Sequence, residues 1–282
     1  EIRGGRIFAR GVLDDKGPTM AAYYAMKIVN DLGLPLSKRV RMILGTDEES
    51  DWRCVDTYFK HEEMPTLGFA PDADFPIIFA EKGIWDFYMN QAPNLGEDNG
   101  AVKVKDFSAG RRFNMVPDYA KAQLQVTTSV EEAFQHYITK HGLKGTYKSE
   151  GNTATVEVEG VSAHGMEPKL GVNAGLHLAA FLQTLDLSKH AKDYFIFVSH
   201  FLVGDSRGKK FGIAFHDEST GDVTLNVGIL QYNAQKGGKI GINLRYPVSF
   251  NQDGAKNKLT NQLKKNGFSI QTLSHSKPHH VD

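Results

Sequence analysis

Near Gly83 the hydrophobic pattern of the chain changes period, and this restricts its architecture more than composition does. Beyond that point run alternating segments, clearest at 120–127 and at Thr153–Glu159. A two-residue repeat puts one face of a strand in a core and the other toward water, as in antiparallel sheets. Between these segments 130–141 has helical spacing. A second helix is expected over 172–185, strands over 223–231 and 239–246, and a last helix over 251–264. Strand, helix and strand thus recur around 114–159 and 226–273, which suggests an internal duplication within an α+β domain.

Before Gly83 the apolar runs are shorter. Residues 6–10 read as a strand, and Pro18 opens a helix whose apolar positions Ala21, Tyr24, Ala25, Ile28, Val29 and Leu32 recur at three- and four-residue steps. Pro in the first turn and Gly33 as the stop fit that reading. The apolar run 40–44 suits a strand buried in a parallel sheet, and 65–70 continues it, so this part is expected to be α/β.

Composition narrows the function classes. Among 282 residues, 33 Lys and Arg balance 33 Asp and Glu. This lacks the basic excess of a nucleic-acid surface. One cysteine, Cys54, makes no internal disulfide and no cysteine-based zinc site. No apolar run reaches the ~18 residues of a membrane span. These features imply a cytoplasmic chain with neither nucleic-acid nor membrane partners. The start, Glu1-Ile2-Arg3, has neither an initiator Met nor a signal-peptide pattern, which suggests that the chain has been cut.

Three acidic clusters follow expected strands: Asp14-Asp15, Asp47-Glu48-Glu49, and Asp72 with Asp74. Carboxyl ends of parallel strands are where sites are built, and convergent carboxylates call for a divalent cation. The competing reading is that each cluster is a solvated loop or a helix cap, for which Asp is favoured. Residue types alone leave both readings open.

The segments 10–18, 45–50 and 71–76, with Asn114-Met115-Val116-Pro117 and Gly160-Val161-Ser162-Ala163-His164-Gly165, resemble the M20 family of co-catalytic zinc peptidases. Within it they are most similar to the PepV-type, or Xaa-His, dipeptidases. The resemblance implies that Asp14 bridges two zinc ions, with Glu49 and Asp72 as terminal ligands. Other divalent ions such as Mn2+ or Co2+ would also suit such a site. Glu48 would be the general base acting on a metal-bridged water. Asp15 then remains the neighbour of a ligand and a helix N-cap. His164 matches a histidine of a lid domain that stabilises the oxyanion, and Arg245 matches a residue that grips the substrate carboxylate. Asn114 is a further substrate-binding candidate. His136, His141, His177, His190 and the adjacent His279-His280 pair read as surface or packing residues.

On this resemblance, 1–82 belongs to an incomplete catalytic domain, 83–278 to the lid, and 279–282 returns to the catalytic domain. The family's two histidine ligands have no counterpart here, so this stretch alone is expected to have little or no activity. The implied parent is a monomeric dipeptidase acting on small peptides. A deacylase of N-acyl amino acids and a non-catalytic ligand-binding remnant are the alternatives.

Overall fold

A computed structural model describes residues 1–48, 52–73, 76–96 and 99–281. The chain divides into two compact units, Glu1–Ile78 and Phe79–Asp282.

In the first unit a short hairpin pairs β1 (Ile2–Arg3) with β2 (Arg6–Ile7), and two helices follow, α1 (Lys16–Asp31) and α2 (Arg53–Tyr58). Pro18 occupies the first turn of α1, where a missing N–H costs nothing. Gly33 ends the helix at φ +62°, a left-handed conformation that glycine adopts without strain. The apolar stripe forms as expected, yet no residue of α1 is buried. The strands expected at 40–44 and 65–70 carry no ladder among the described residues. A parallel strand needs neighbours to satisfy its backbone, and among the described residues none lies beside Val40 or Leu44, both of which are exposed.

The second unit begins with β3 (Ala80–Glu81), β4 (Gly83–Gln91), β5 (Val102–Ala109), β6 (Tyr119–Val126), α3 (Glu131–His141), β7 (Lys144–Glu150) and β8 (Thr153–Glu159). It continues through α4 (Ala174–Leu182), α5 (Lys189–Phe201), β9 (His216–Asp217), β10 (Gly221–Asp222), β11 (Thr224–Asn233) and β12 (Gly237–Tyr246). The last elements are α6 (Gln252–Lys265), β13 (Phe268–Ser276) and β14 (His279–His280). Eight strands form one antiparallel sheet in the order β13-β4-β12-β11-β5-β6-β8-β7, while β3 pairs with β14 and β9 with β10. With the first unit, this makes a mixed α/β molecule.

The sheet order gives the expected repeat a spatial form. In one half the hairpin β5-β6 is followed by α3 and then by the edge strand β7, with β8 between. In the other, β11-β12 is followed by α6 and the edge strand β13, with β4 between. Among the described residues the halves share one ladder, where Phe107–Ala109 pair with Leu230–Tyr232. Helix α4 crosses this junction at Gly175, where a Cβ would stand 2.6 Å from Ala109 Cβ and 2.7 Å from Leu230 Cδ1.

Alternation sets the two faces of the sheet. Trp85, Phe87 and Met89 of β4 and Ile240, Ile242 and Leu244 of β12 are buried with Phe181, Tyr194, Phe195 and Val198 of the helices. The intervening residues, Asp86 on β4, Asn226 on β11 and Asn243 and Arg245 on β12, lie on the opposite face.

Candidate active site

In the first unit, the loop before α1 turns back so that the Lys16 N–H donates to Gly11 O at 2.7 Å. Gly17 permits this approach, since a Cβ there would lie 2.3 Å from Val12 O. The turn sets Asp14 and Asp15 at the head of the helix. Asp15 holds the N-cap position, but its carboxylate caps no N–H and instead accepts from Thr19 Oγ1 at 3.2 Å. Its other oxygen is buried without a partner. The side-chain cap expected from the sequence is therefore absent, because the carboxylate lies along the first turn rather than across its end.

Asp72 shares the field of this pair. Partial burial raises its carboxyl above the ordinary range, and the charges of Asp14 and Asp15 raise it further. Asp47 instead organises the start of α2, accepting from the N–H groups of Arg53 at 3.1 Å and Cys54 at 2.9 Å. Hydrogen bonds from Cys54 and then Arg53 hold Asp47 at about 2. The neighbouring Glu48 is exposed. Glu49, Ser50 and Asp74 lie outside the described residues.

Asp14, Asp15 and Asp72 fit a cation in charge and donor type: the charges of Asp14 and Asp15 add to the proton affinity of Asp72, and a buried oxygen of Asp15 is unpaired. Among the described residues, however, no three His, Cys, Asp or Glu converge closely enough to hold an ion.

In the second unit, the connection between β5 and β6 crosses the face of the sheet that carries Asn226. Asn226, 1% exposed, donates through Nδ2 to Phe113 O at 2.6 Å and Met115 O at 3.0 Å. Gly228 leaves room for this crossing, since a Cβ would stand 2.3 Å from Arg112 O. The Phe113 ring rests 5.0 Å from that of Tyr88. Asn114, held between the two anchored carbonyls, accepts from the Gly165 N–H at 2.6 Å, and Val116 N–H donates to Ala163 O at 2.8 Å. Met115 and His164 form the bridge between these bonds. Asn114 and His164 are thus brought together by main-chain pairing.

His164 Nδ1 accepts from the Met166 N–H at 3.3 Å, which leaves Nε2 as the donor of a neutral ring. Desolvation and then the charge of Arg245 lower its proton affinity, favouring that neutral form. Arg245 itself donates through Nε to Asn243 Oδ1 at 3.2 Å. Asn243 Nδ2 in turn donates to Asp86 Oδ1 at 2.7 Å, and Ser274 Oγ to Asp86 Oδ2 at 3.3 Å. Burial raises the Asp86 carboxyl, while the bonds from Asn243 and Ser274 and the charge of Arg245 oppose the rise. A guanidinium fixed through its Nε keeps two NH2 groups for a bidentate anion. The unit thereby places a neutral N–H donor and a guanidinium in one electrostatic neighbourhood.

His190 bonds Tyr232 OH and Ala92 O, each at 2.8 Å, and His141 faces His177 with ring centres 6.1 Å apart. Asn226, Asn243 and Asp86 are not among the sequence-based candidates. The available signal is a polar residue at alternate positions in strands whose other residues are apolar.

The chain matches the family described as "Peptidase family M20/M25/M40" over residues 1–277. It is 50% identical over 285 residues to "Putative dipeptidase YtjP" of Bacillus subtilis, covering 100% of this chain and 60% of that protein. It is 46% identical over 280 residues to "Putative dipeptidase SH1171" of Staphylococcus haemolyticus, covering 98% and 60%. The chain thus spans about 60% of the length of these relatives. A crystal structure of an aminoacylhistidine dipeptidase from Vibrio alginolyticus is similar at a TM-score of 0.35 and 11% identity, over 75% of this chain and 48% of that one.

Proposed function

The chain belongs to the peptidase family M20/M25/M40, and we propose that it serves the hydrolysis of dipeptides by a zinc-dependent route. The observation that carries this reading is the shared field of Asp14, Asp15 and Asp72, in which the first two add to the proton affinity of the third, in a family of metal-dependent peptidases. Asp14, Glu49 and Asp72 are the residues that would hold the metal. Such ions, when bound, polarise the scissile carbonyl and lower the pKa of a water.

The remaining work falls to side chains. Glu48 takes the proton of the attacking water and returns it to the leaving amine. His164, neutral and donating through Nε2, stabilises charge developing on the carbonyl oxygen. Arg245 pairs with the substrate's terminal carboxylate, and Asn114 contributes to binding beside His164. Recognition of a free carboxylate selects short peptides. We further assign 1–82 and 279–282 to the catalytic part and 83–278 to a lid, in a cytoplasmic monomer. Among the described residues no helix is long and apolar enough to cross a membrane.

A pair of variants tests this reading. Glu48→Gln in the whole protein should abolish dipeptide turnover while metal content, measured by mass spectrometry, stays near wild type. Asp14→Asn should lose both. Loss of metal from Glu48→Gln would make Glu48 a ligand and refute the assignment.

A further inference from the structure

We propose that Arg207 is a positioning residue that locks the His164 turn to the strand pair carrying Arg245; the functional meaning of this lock rests on the dipeptidase reading above. Arg207 is a buried cation, 9% exposed, in the segment between α5 and β9. Its fork reaches the Glu167 turn and β10, and bonds back to its own segment. One NH2 donates to Glu167 Oε2 at 2.6 Å, Nε to Asp222 Oδ2 at 3.2 Å, and the other NH2 to Ser206 O at 3.3 Å.

Each contact has a structural address. Glu167 closes the turn that begins at His164, with its N–H donating to His164 O at 3.1 Å, and its second oxygen accepts from the Lys169 N–H at 3.4 Å. Asp222 ends β10, two residues before β11, and its other oxygen meets His216 Nδ1 at 2.9 Å. Its carbonyl accepts from the Lys82 ammonium. Ser206 O accepts from the Leu225 N–H at 2.9 Å, next to Thr224, the cross-strand partner of Arg245. Asp205, also buried, fixes the turn bearing Arg207 by accepting from the N–H groups of Arg207 at 3.0 Å and Lys210 at 2.7 Å.

The geometry follows from the chemistry of the side chain. A planar fork can hold two carboxylates at a fixed angle, which a single ammonium cannot. His164 lies on an exposed turn that has no strand of its own, and two rigid anchors hold it: main-chain pairing to 114–116 on one side and Glu167 on Arg207 on the other. Removing Arg207 strands the Glu167 carboxylate, and removing the Glu167 charge leaves Arg207 paired with Asp222 alone, so in either case the turn should loosen.

Hydrogen exchange of the full 282-residue chain tests this independently of hydrolysis, read by mass spectrometry on peptides spanning 162–167 and 240–246. Arg207→Met and Glu167→Gln should each raise exchange in 162–167 by about tenfold while 240–246 is unchanged. The double variant should do no more than the larger single one, and Arg207→Lys should recover part of the protection. If Arg207→Met fails to fold, the partly exposed Glu167→Gln carries the test alone. Unchanged exchange at 162–167, or an equal rise in both peptides, would overturn the proposal. Absence of dipeptide turnover in the whole protein would overturn the enzymatic reading and leave the exchange result standing.

Discussion

Asn226 offers the sharpest check on how the second unit positions Asn114. Its side-chain amide donates to two main-chain carbonyls, at 2.6 Å and 3.0 Å, from a site 1% exposed. Asn226→Ala loses both bonds, each contributing about 1 kcal/mol net, and strands two carbonyls, while the unpaired Asn226 Oδ1 disappears with the side chain. The expected loss is about 2–3 kcal/mol at any pH. Asn226→Asp keeps the shape but sets an acceptor against two acceptors, and it fits only when protonated. Raising a carboxyl from about 3.9 to about 7 costs about 4 kcal/mol at about 1.4 kcal/mol per unit, and one bond is still missing. The total is about 5 kcal/mol at pH 7. Because the folded-state pKa is raised above the unfolded one, the penalty shrinks as pH falls, to about 1–2 kcal/mol near pH 4. Urea unfolding followed by the emission of the buried Trp85 reads this unit at both pH values. If Asn226→Asp matches Asn226→Ala at pH 7, or acid fails to narrow its deficit, the two-carbonyl clasp is wrong.

Gly228→Ala should cost about 1–3 kcal/mol, because a Cβ would meet the main-chain oxygens of Arg112 at 2.3 Å and Phe113 at 2.5 Å, neither of which can swing away. A lowered Tm together with faster proteolysis between Gly110 and Pro117 would verify it, and a wild-type Tm would contradict it. Asp217 supplies an acid limit. Burial alone would raise its carboxyl, but bonds from the N–H and hydroxyl groups of Thr220 and Ser249 hold it below the usual carboxylate range. Its contribution is therefore full above about pH 4 and is lost as pH falls toward the depressed folded value. Asp217→Asn should show a shallower loss of stability between about pH 4 and pH 2 than wild type in circular dichroism, and parallel curves would refute the assignment.

The elements legible in the sequence are those whose pattern is local. Thr153–Glu159 is one strand from end to end because every second residue enters the core. Helix α6 starts where its Asn251 cap, accepting from the Gly254 N–H at 2.8 Å, says that it should. Helix α5 escapes a sequence reading: its run Tyr194-Phe195-Ile196-Phe197-Val198 is aromatic and β-branched, and only burial against β12 and β13 makes it helical. The runs at 40–44 and 65–70 show the converse, since apolar character without a neighbouring strand gives no ladder. At the candidate site, motifs single out Asp14, His164 and Arg245 as candidates. Asn226 and Arg207 are not, because their partners lie 111 to 113 and 40 residues away in sequence.

The narrow junction between the two halves of the sheet has a mechanical meaning. Asn114 and His164 are carried by connections of the half that contains β5 to β8, whereas Arg245 belongs to β12 of the other. Among the described residues, the ladder between the halves is Phe107–Ala109 against Leu230–Tyr232 and no more. Residues 110–117 reach across it to Asn226, and Arg207 forms a second strut from Glu167 to Asp222. Imidazole and guanidinium thus stand on opposite sides of a narrow junction that α4 also spans at Gly175, as do bonds from Asn173 Nδ2 to Val227 O and from Asn233 Nδ2 to Lys105 O, each at 2.8 Å. A substitution that shortens or slips that ladder would change the gap between them before it disturbed either residue's own surroundings, so the gauge of the site is set by strand register rather than by the residues that form it.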